Sequence, residues 1–378
     1  MKPLENIKIL DLSSYIAGPY STLLLSMLGA TVVKVESPKG DDSRTWPPIR
    51  DGFSGYFANF NGGKKSFALD LKDPESRPVL DRLISKCDVF LHNFTGRTRR
   101  KLNMEYEAIA AVNPNVIYCN VSGFGADGPY GDRKGFDTIF QAVSGVTNLT
   151  GVKGGDPIKC GVPIGDVSGG VFTALSIMAA LYQRQLTGKG EYIDLSLTDC
   201  LVNFLPVAMA FYSFNGVTPK RMGSEHPGRV PSSTFLCGDG RFVQISVTDG
   251  QWPRLCGILG LDDWGEHEFY KLNINRIQAR EEVMARLGAQ IKQKDSRALE
   301  KECMEAGIPC GVVNDIEGLI GDPQIQYRRT IDSEQFGEVL MRFANFPARF
   351  HGIDTGISRR VPGVGEHNEE VLRTWLSE

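Results

Sequence analysis

One aspartate in the sequence lies where a carboxylate could act as a nucleophile. Asp166 belongs to the segment PIGDVSGG, a glycine-rich turn directly before an apolar stretch with helical spacing. A helix N-terminus stabilises a carboxylate and aspartate is a common helix cap, so the residue type alone favours capping over catalysis. Gly165, Gly169 and Gly170 shift the balance towards catalysis, because glycines let a bulky ligand approach the backbone closely. Both roles stay open at this point.

Other familiar catalytic motifs are incomplete. The segment GFGADG, residues 123–128, is similar to a dinucleotide-binding fingerprint, but PYGDRK follows it in place of an apolar helix, which favours a surface turn. There is no P-loop or GxSxG segment, and His267-Glu268 lacks the second histidine of a zinc protease. The eight cysteines form no CxxC pair, so we predict no metal site and no disulfide scaffold. The remaining candidates for chemistry are carboxylates.

Composition excludes further classes of function. The 378 residues contain 42 Lys and Arg against 45 Asp and Glu, a net charge of -3, which argues against nucleic-acid binding. The most apolar stretches, around residues 171–182 and 201–214, are shorter or more interrupted than the ~20 residues of a membrane helix. Glu5 and Asp11 lie where a secretory signal would be apolar. We therefore predict a cytoplasmic protein that binds neither nucleic acid nor a membrane.

The elements that must position Asp166 follow an alternating pattern. Short β-branched runs at residues 7–12, 30–35, 88–92 and 116–122 are separated by stretches with helical spacing, which predicts a parallel, doubly wound α/β sheet. A helix at 166–186 and a strand at 192–197 follow. Further strand and helix patterns between residues 241 and 313 predict a second, smaller α/β unit.

Several blocks of sequence, taken in order, resemble the family III CoA-transferases. This group includes formyl-CoA transferase, carnitine CoA-transferase and a racemising branch, alpha-methylacyl-CoA racemase. The blocks span nearly the whole chain and read ILDLSSYIAGPYSTLLLSMLGATVVKVESPKGDDSR, GGKKSFALDLKDPE, DVFLHNF, NVIYCNVSGFGADGPYGDRKGFD, VPIGDVSGG, LTGKGEYIDLSL, GIPCGVVND and GVGEHN.

The resemblance implies a domain organisation. We expect a large Rossmann-like, CoA-binding domain at residues 1–200 that is completed by the tail 325–378, a linker at 201–232 and a small α/β domain at 233–324. Two such chains are expected to interlock as linked rings in an intertwined homodimer.

The resemblance also implies a reaction. Asp166 is expected to attack an acyl-CoA donor, giving an aspartyl anhydride and then an aspartyl-CoA thioester that a free carboxylic acid accepts. CoA and acyl-CoA are substrates in this scheme, which needs no permanently bound cofactor and no metal. The family positions that contact CoA correspond here to Ser14, Tyr15, Ile16, Ala17, Ser37, Leu71, Asn93, Lys101, Lys134 and Leu197, beside Asp166 itself. Two of them depart from formyl-CoA transferase, which has arginine in place of Ser37 and of Lys101.

Supporting roles are expected for residues around the nucleophile. Asp137 corresponds to a second acidic residue of the family site, and it could orient substrate or cap the helix that follows it. His226 and Arg229 could face the acyl group, and a cationic Arg229 would suit a dicarboxylic acceptor. The segment 16–18 and the loop after Arg221 are candidates for oxyanion stabilisation or for a lid.

Two alternatives remain. The racemising branch uses a histidine where this chain has Phe136, and a phenyl ring cannot carry a proton, so the sequence favours transfer over racemisation or epimerisation. A CoA-binding protein without turnover is the other alternative, and an intact Asp166 argues against it.

Overall fold

The computed structural model describes residues 1–376 and shows a mixed α/β protein. Its strands are β1 (Lys8–Asp11), β2 (Thr31–Glu36), β3 (Ile49–Arg50), β4 (Phe53–Ser54), β5 (Lys65–Ala68), β6 (Val89–His92), β7 (Ile117–Ser122), β8 (Glu191–Ser196), β9 (Ser232–Leu236), β10 (Phe242–Ser246), β11 (Cys310–Val312), β12 (Ile331–Phe336) and β13 (Val339–Ala344). Its α-helices are α1 (Ala17–Met27), α2 (Gly55–Asn61), α3 (Arg77–Lys86), α4 (Gly96–Lys101), α5 (Tyr106–Val112), α6 (Asp137–Ser144), α7 (Val146–Leu149), α8 (Ile164–Thr187), α9 (Leu197–Val202), α10 (Pro206–Asn215), α11 (Trp252–Ile258), α12 (Asp262–Glu266), α13 (Asn273–Gln278), α14 (Arg280–Ile291), α15 (Ser296–Glu305), α16 (Ile316–Gly321), α17 (Pro323–Arg328) and α18 (Asn368–Leu376).

The main sheet has six parallel strands in the order β5-β2-β1-β6-β7-β8. Leu10 of β1 pairs with Val33 of β2 and Phe90 of β6, and all three side chains are fully buried. Helices cover both faces: α1 and α8 pack on one, and α3, α5 and α18 on the other. The predicted parallel sheet is confirmed, since near-continuous apolar strands are typical of a sheet buried on both faces.

The chain forms two compact units. The first comprises residues 1–147, 159–217 and the described chain from 324 onward, and the second comprises 148–158 and 218–323. The stretch expected as a linker, 201–232, is divided between them. Its first part carries α10 in the first unit, and its second part leads into β9 of the second unit. The division between the two units, at residues 217–218, falls within this stretch, and its role as a linker stays a prediction.

The second unit has its own core. Its sheet is antiparallel in the order β11-β10-β9, and α11, α14 and α15 cover it with fully buried side chains such as Trp252, Leu287 and Leu299. The predicted strand and helices between residues 241 and 313 lie here.

Helix α8 is longer and more apolar than the sequence analysis expected. It has 24 residues and an 18-residue window of mean hydropathy 1.6, so length and composition alone would allow it to cross a membrane. The expectation that no segment reaches this length is wrong for α8, because the apolar run extends through the glycines near Asp166. Core helices of water-soluble proteins meet the same criterion, and Ala174, Ile177 and Leu181 of α8 are buried in the first unit.

Candidate active site

Asp166 occupies the first turn of α8 and does not cap that helix. The helix begins at Ile164, and its cap position is Pro163, whose side chain makes no capping hydrogen bond. Among the described residues, none donates a hydrogen bond to the Asp166 carboxylate and none forms an ion pair with it. The helix fixes the backbone of Asp166, and its half-buried carboxylate has no ion-pair partner among the described residues. The carboxylate is therefore available for chemistry.

Asp137 supports the N-terminus of α8 from another helix. It is the buried first residue of α6, and its Oδ1 accepts the backbone N–H of Gly165 at 2.8 Å and that of Asp166 at 3.2 Å. Its Oδ2 accepts the Gln141 side-chain amide at 2.5 Å, and Gln141 in turn accepts the Cys160 N–H at 2.8 Å. Asp137 therefore does not cap the helix that follows it, as one interpretation expected. It caps α8 and fixes the backbone that carries Asp166.

Burial and nearby negative charge raise the pKa values of two side chains at this site, Asp166 and Tyr56. Burial raises the pKa of Asp166 to about 7, and the negative charge of Asp137 acts in the same direction. Burial, followed by the same two carboxylates, also raises the pKa of Tyr56 to about 12. A carboxylate with a pKa near 7 is more basic than an ordinary aspartate, and higher basicity favours nucleophilic attack.

A short loop between β1 and α1 lines the same cavities as Asp166. Tyr15 in this loop has φ of 72°, a left-handed conformation that is uncommon outside glycine. Its neighbour Ser14 is held on both sides by Asn93, which accepts the Ser14 N–H at 3.0 Å and donates its amide to the Ser14 carbonyl at 2.8 Å. Asn93 directly follows β6, so the carboxyl ends of two adjacent strands fix the loop, where ligands bind in open α/β sheets.

A fully buried charge cluster lies under this loop. The Lys64 ammonium contacts Asp11 Oδ2 at 3.0 Å and donates to the Pro19 carbonyl at 2.9 Å, both side chains being 0% exposed. Lys34 donates to the Ser13 carbonyl at 2.7 Å. Asp11 also accepts the Ser13 N–H at 2.9 Å. Opposite charges therefore meet at the base of the loop and hold its backbone.

Two cavities of the first unit meet at Asp166. One, of about 360 Å³, and the other, of about 350 Å³, share Tyr15, Ile16, Phe136 and Asp166 in their walls. A group bound in either cavity could thus reach the same carboxylate.

The larger cavity collects most of the residues that the resemblance assigned to CoA. Ser14, Tyr15, Ile16, Ala17, Asn93, Lys134 and Leu197 line it together with Asp166. The cavity also has two arginines that sequence reasoning missed. Arg133 lies over the rings of Phe124 and Tyr130, and the buried Nε of Arg99 has no hydrogen-bond partner in the described chain. Residues 123–126 of the GFGADG segment, which the sequence analysis interpreted as a surface turn, also line this cavity.

Five predicted residues lie elsewhere. Leu71 and Lys101 line a separate surface depression with Lys72 and Arg77, and the exposed Ser37 hydroxyl donates to the Gly40 carbonyl. His226 and Arg229 belong to the second unit, where His226 Nδ1 accepts the Gly228 N–H. The structure does not bring these five residues into the two cavities, and their roles stay predictions.

The smaller cavity is walled by aromatic rings. Tyr15 stacks on Trp46 with ring centroids 5.3 Å apart, Trp46 meets Tyr56 edge-on at 5.1 Å, and Phe136 meets Tyr15 edge-on at 6.2 Å. Trp46 lies in the wall of this cavity. Lys159 also lines it and escaped notice because it looks like an ordinary surface lysine. No group of three metal-ligating side chains occurs in residues 1–376.

Comparison with known protein sequences shows which family this chain belongs to. The sequence model of CoA-transferase family III matches residues 4–368. The chain belongs to CoA-transferase family III. Among its relatives is the succinate–glutarate CoA-transferase of Agrobacterium fabrum, 34% identical over 98% of this chain and 95% of that protein. The human succinyl-CoA:glutarate CoA-transferase is 34% identical over 100% of this chain and 86% of its own length.

A solved structure of the family has the same fold. A CaiB/BaiF family protein from Brucella suis superimposes with a TM-score of 0.90 at 34% identity, and the match covers 99% of each chain. Because the comparison extends over the whole fold, the α/β architecture of CoA-transferase family III applies to both units of this protein.

Proposed function

We propose that this family III protein transfers CoA from a dicarboxylic acyl-CoA to a free dicarboxylic acid through covalent intermediates on Asp166. The observation that carries the proposal is the position of the Asp166 carboxylate, which lies at the junction of two cavities without a cationic partner among the described residues. The larger cavity, with Arg99, Arg133 and Lys134, suits a phosphate-bearing ligand such as CoA. The names of the two glutarate-using relatives favour succinyl-CoA and glutarate as substrates.

The first half of the reaction releases the donor acid. An Asp166 oxygen attacks the thioester carbonyl, the C–S bond breaks, and CoA leaves as a thiolate, which gives an acyl–aspartyl anhydride. The thiolate then attacks the Asp166 carbonyl of the anhydride. The donor acid departs as a carboxylate, and Asp166 is left as an aspartyl-CoA thioester.

The second half repeats these steps in reverse with a new acid. The acceptor carboxylate attacks the aspartyl-CoA thioester and releases the CoA thiolate, which then attacks the acyl carbonyl of the new anhydride. The products are a new acyl-CoA and a free Asp166 carboxylate. Thioester energy is conserved throughout, so the exchange needs no other energy source.

Each attack creates an oxyanion that needs fixed hydrogen-bond donors. Helix α1 begins at Ala17, and the first N–H groups of a helix have no partner within it. Ile16 and Ala17 line the larger cavity beside Asp166, so their N–H groups are the donors we favour. For the loop after Arg221 a lid role stays a prediction, since Arg221 itself is bound to Asn148 and Gly155 within the second unit.

Racemisation is not favoured. The wall shared by both cavities presents the exposed ring of Phe136 next to the carboxylate pair, and a phenyl group carries no exchangeable proton. An incubation with a 2-methylacyl-CoA in deuterated water should introduce no deuterium at the alpha carbon.

The assembly proposed for the protein is a homodimer of interlocked chains. Helix α10 supports it, since none of its residues is buried and Phe214 and Val207 are 91% and 60% exposed. Apolar area of this extent is typical of an interface. Light scattering coupled to size-exclusion chromatography should give twice the chain mass of 41.6 kDa.

The transferase proposal is tested with succinyl-CoA and glutarate. We expect glutaryl-CoA and free succinate to form in equal amounts with double-displacement kinetics, and Asp166→Asn to form neither. Binding of CoA without glutaryl-CoA formation from any dicarboxylic acid would instead support a non-catalytic CoA-binding protein.

A further inference from the structure

The smaller cavity has the size and shape of a site for a short-chain acid. Its volume of about 350 Å³ lies at the lower end of the range for small-molecule sites, and its aromatic walls suit the methylene chain of a four- or five-carbon acid. Asp166 forms one side of it, so an acid in this cavity would present one carboxylate to the nucleophile. The other carboxylate of a dicarboxylic acid must then be accommodated at the opposite end.

The charges of the cavity make that second carboxylate difficult to place. Asp166 and Asp137 already contribute two carboxylates to the wall, and a further negative charge nearby is repelled unless a cation offsets it. Lys159 is the one cationic side chain in the wall within the described residues.

Lys159 is also available for a ligand. Its ammonium donates to the Cys160 carbonyl at 3.1 Å, and it forms no ion pair with the part of the chain that the structure covers. An ammonium has three N–H donors, so two of them have no acceptor among residues 1–376, and the exposed side chain leaves them accessible to a ligand. Other lysines of this protein are paired with carboxylates, such as Lys153 with Glu281 at 2.7 Å.

The backbone at Lys159 is tied to the nucleophile. The adjacent Cys160 N–H donates to Gln141, Gln141 donates to Asp137, and Asp137 accepts the Asp166 N–H. This chain of hydrogen bonds fixes the lysine segment relative to Asp166 through side chains of a single helix, α6. A cation held in this way can select the length of an acid as well as its charge.

We propose that Lys159 binds the distal carboxylate of the dicarboxylic substrate and makes the protein select dicarboxylic over monocarboxylic acids. The proposal rests on the transferase function proposed above and deepens it by assigning the acid to the smaller cavity. Lys159 acts as a specificity-determining residue and takes no part in bond formation.

The test compares glutarate with its monomethyl ester, which keeps the chain length but removes one charge. With succinyl-CoA as donor at saturating concentration, wild-type protein should prefer glutarate, and Lys159→Met should lower kcat/KM for glutarate about tenfold. The kcat/KM for monomethyl glutarate, which in double-displacement kinetics does not depend on the donor half-reaction, should be unchanged, and Lys159→Arg should keep most of the preference for glutarate. Lys189→Met, an exposed lysine outside both cavities, is the matched control and should behave as wild type.

The outcomes separate the two proposals. If Lys159→Met lowers kcat/KM for both acceptors equally, or for neither, the lysine does not bind the distal carboxylate of the acceptor, and the transferase proposal is unaffected. If wild-type protein transfers CoA to neither acid, the transferase proposal fails and this one fails with it. Lys159→Gln serves as a second variant, and its retained activity on the monoester shows that the fold is intact.

Discussion

Two groups of buried carboxylates in the first unit have opposite electrostatic surroundings. Asp11 is fully buried, and although burial raises its pKa, Lys64 and Lys34 lower it to about 2. Asp166 is less buried, yet burial raises its pKa to about 7, because no lysine offsets the burial and the charged neighbour Asp137 raises the pKa further. The ion pairs of Asp11 stabilise a loop, whereas the surroundings of Asp166 disfavour the ionised form of the proposed nucleophile. Burial raises the pKa of both carboxylates, and the presence or absence of neighbouring lysines decides whether that rise is offset.

The largest expected effect is on activity. Asp166→Asn keeps the shape of the side chain but removes the nucleophile, so transfer between succinyl-CoA and glutarate should fall by about 10⁴-fold or more. The measurement is glutaryl-CoA formation by mass spectrometry. Retention of more than a few per cent of the activity would mean that another group carries the acyl intermediate.

The second effect is on stability and concerns Asp11, whose buried charge is offset by lysines. Lys64→Met leaves the buried Asp11 without its nearest cation, so the free energy of unfolding should fall by about 3–5 kcal/mol. Urea denaturation at pH 7.5 measures it. Lys72→Met, at an exposed lysine, is the control and should change stability by less than about 0.5 kcal/mol. A similar small change for Lys64→Met would show that the cluster does not hold the loop.

Substitution of Asp166, whose charge no lysine offsets, should change the free energy of unfolding in the opposite direction. The pKa of Asp166 is higher in the folded protein than in the unfolded chain, so its ionised form disfavours folding above pH 7 and this penalty disappears as the pH falls towards 4. Asp166→Asn should therefore raise the free energy of unfolding at pH 7.5 by about 1–3 kcal/mol, and the gain should vanish near pH 4. A variant less stable than wild type at pH 7.5 would contradict this assignment.

The smallest effect is a shift in a pH profile. Asp137→Asn removes the negative charge beside Asp166 while its amide oxygen can still accept the Gly165 N–H, so the pKa of Asp166 should fall. The acid limb of kcat/KM should lie near pH 7 in wild-type protein and should move down by about one pH unit in the variant. Asp70→Asn, at an exposed aspartate, should leave the limb in place. An unchanged limb for Asp137→Asn would assign the raised pKa to burial alone.

Sequence alone predicted the parallel sheet, because its strands are apolar runs whose pattern is local. It missed β5, since Lys64 and Lys65 in that segment look solvent-exposed, whereas Lys64 is buried against Asp11, 53 positions earlier. Asp166 was identified through its glycine-rich surroundings and the family blocks. The hydrogen bonds from Asp137 to the start of α8 could not be predicted, because they join residues that are 28 and 29 positions apart in sequence and meet only through tertiary packing. Lys159 was missed for the same reason, since nothing in its neighbours along the chain indicates a cavity.

The most direct test of the account is to trap the covalent intermediate. Purified protein is incubated with succinyl-CoA without an acceptor, treated with hydroxylamine or borohydride, and the peptide containing Asp166 is examined by mass spectrometry. The account predicts a hydroxamate or a reduced side chain at Asp166, absent when succinyl-CoA is omitted. An unmodified Asp166 under conditions in which glutaryl-CoA forms would contradict it.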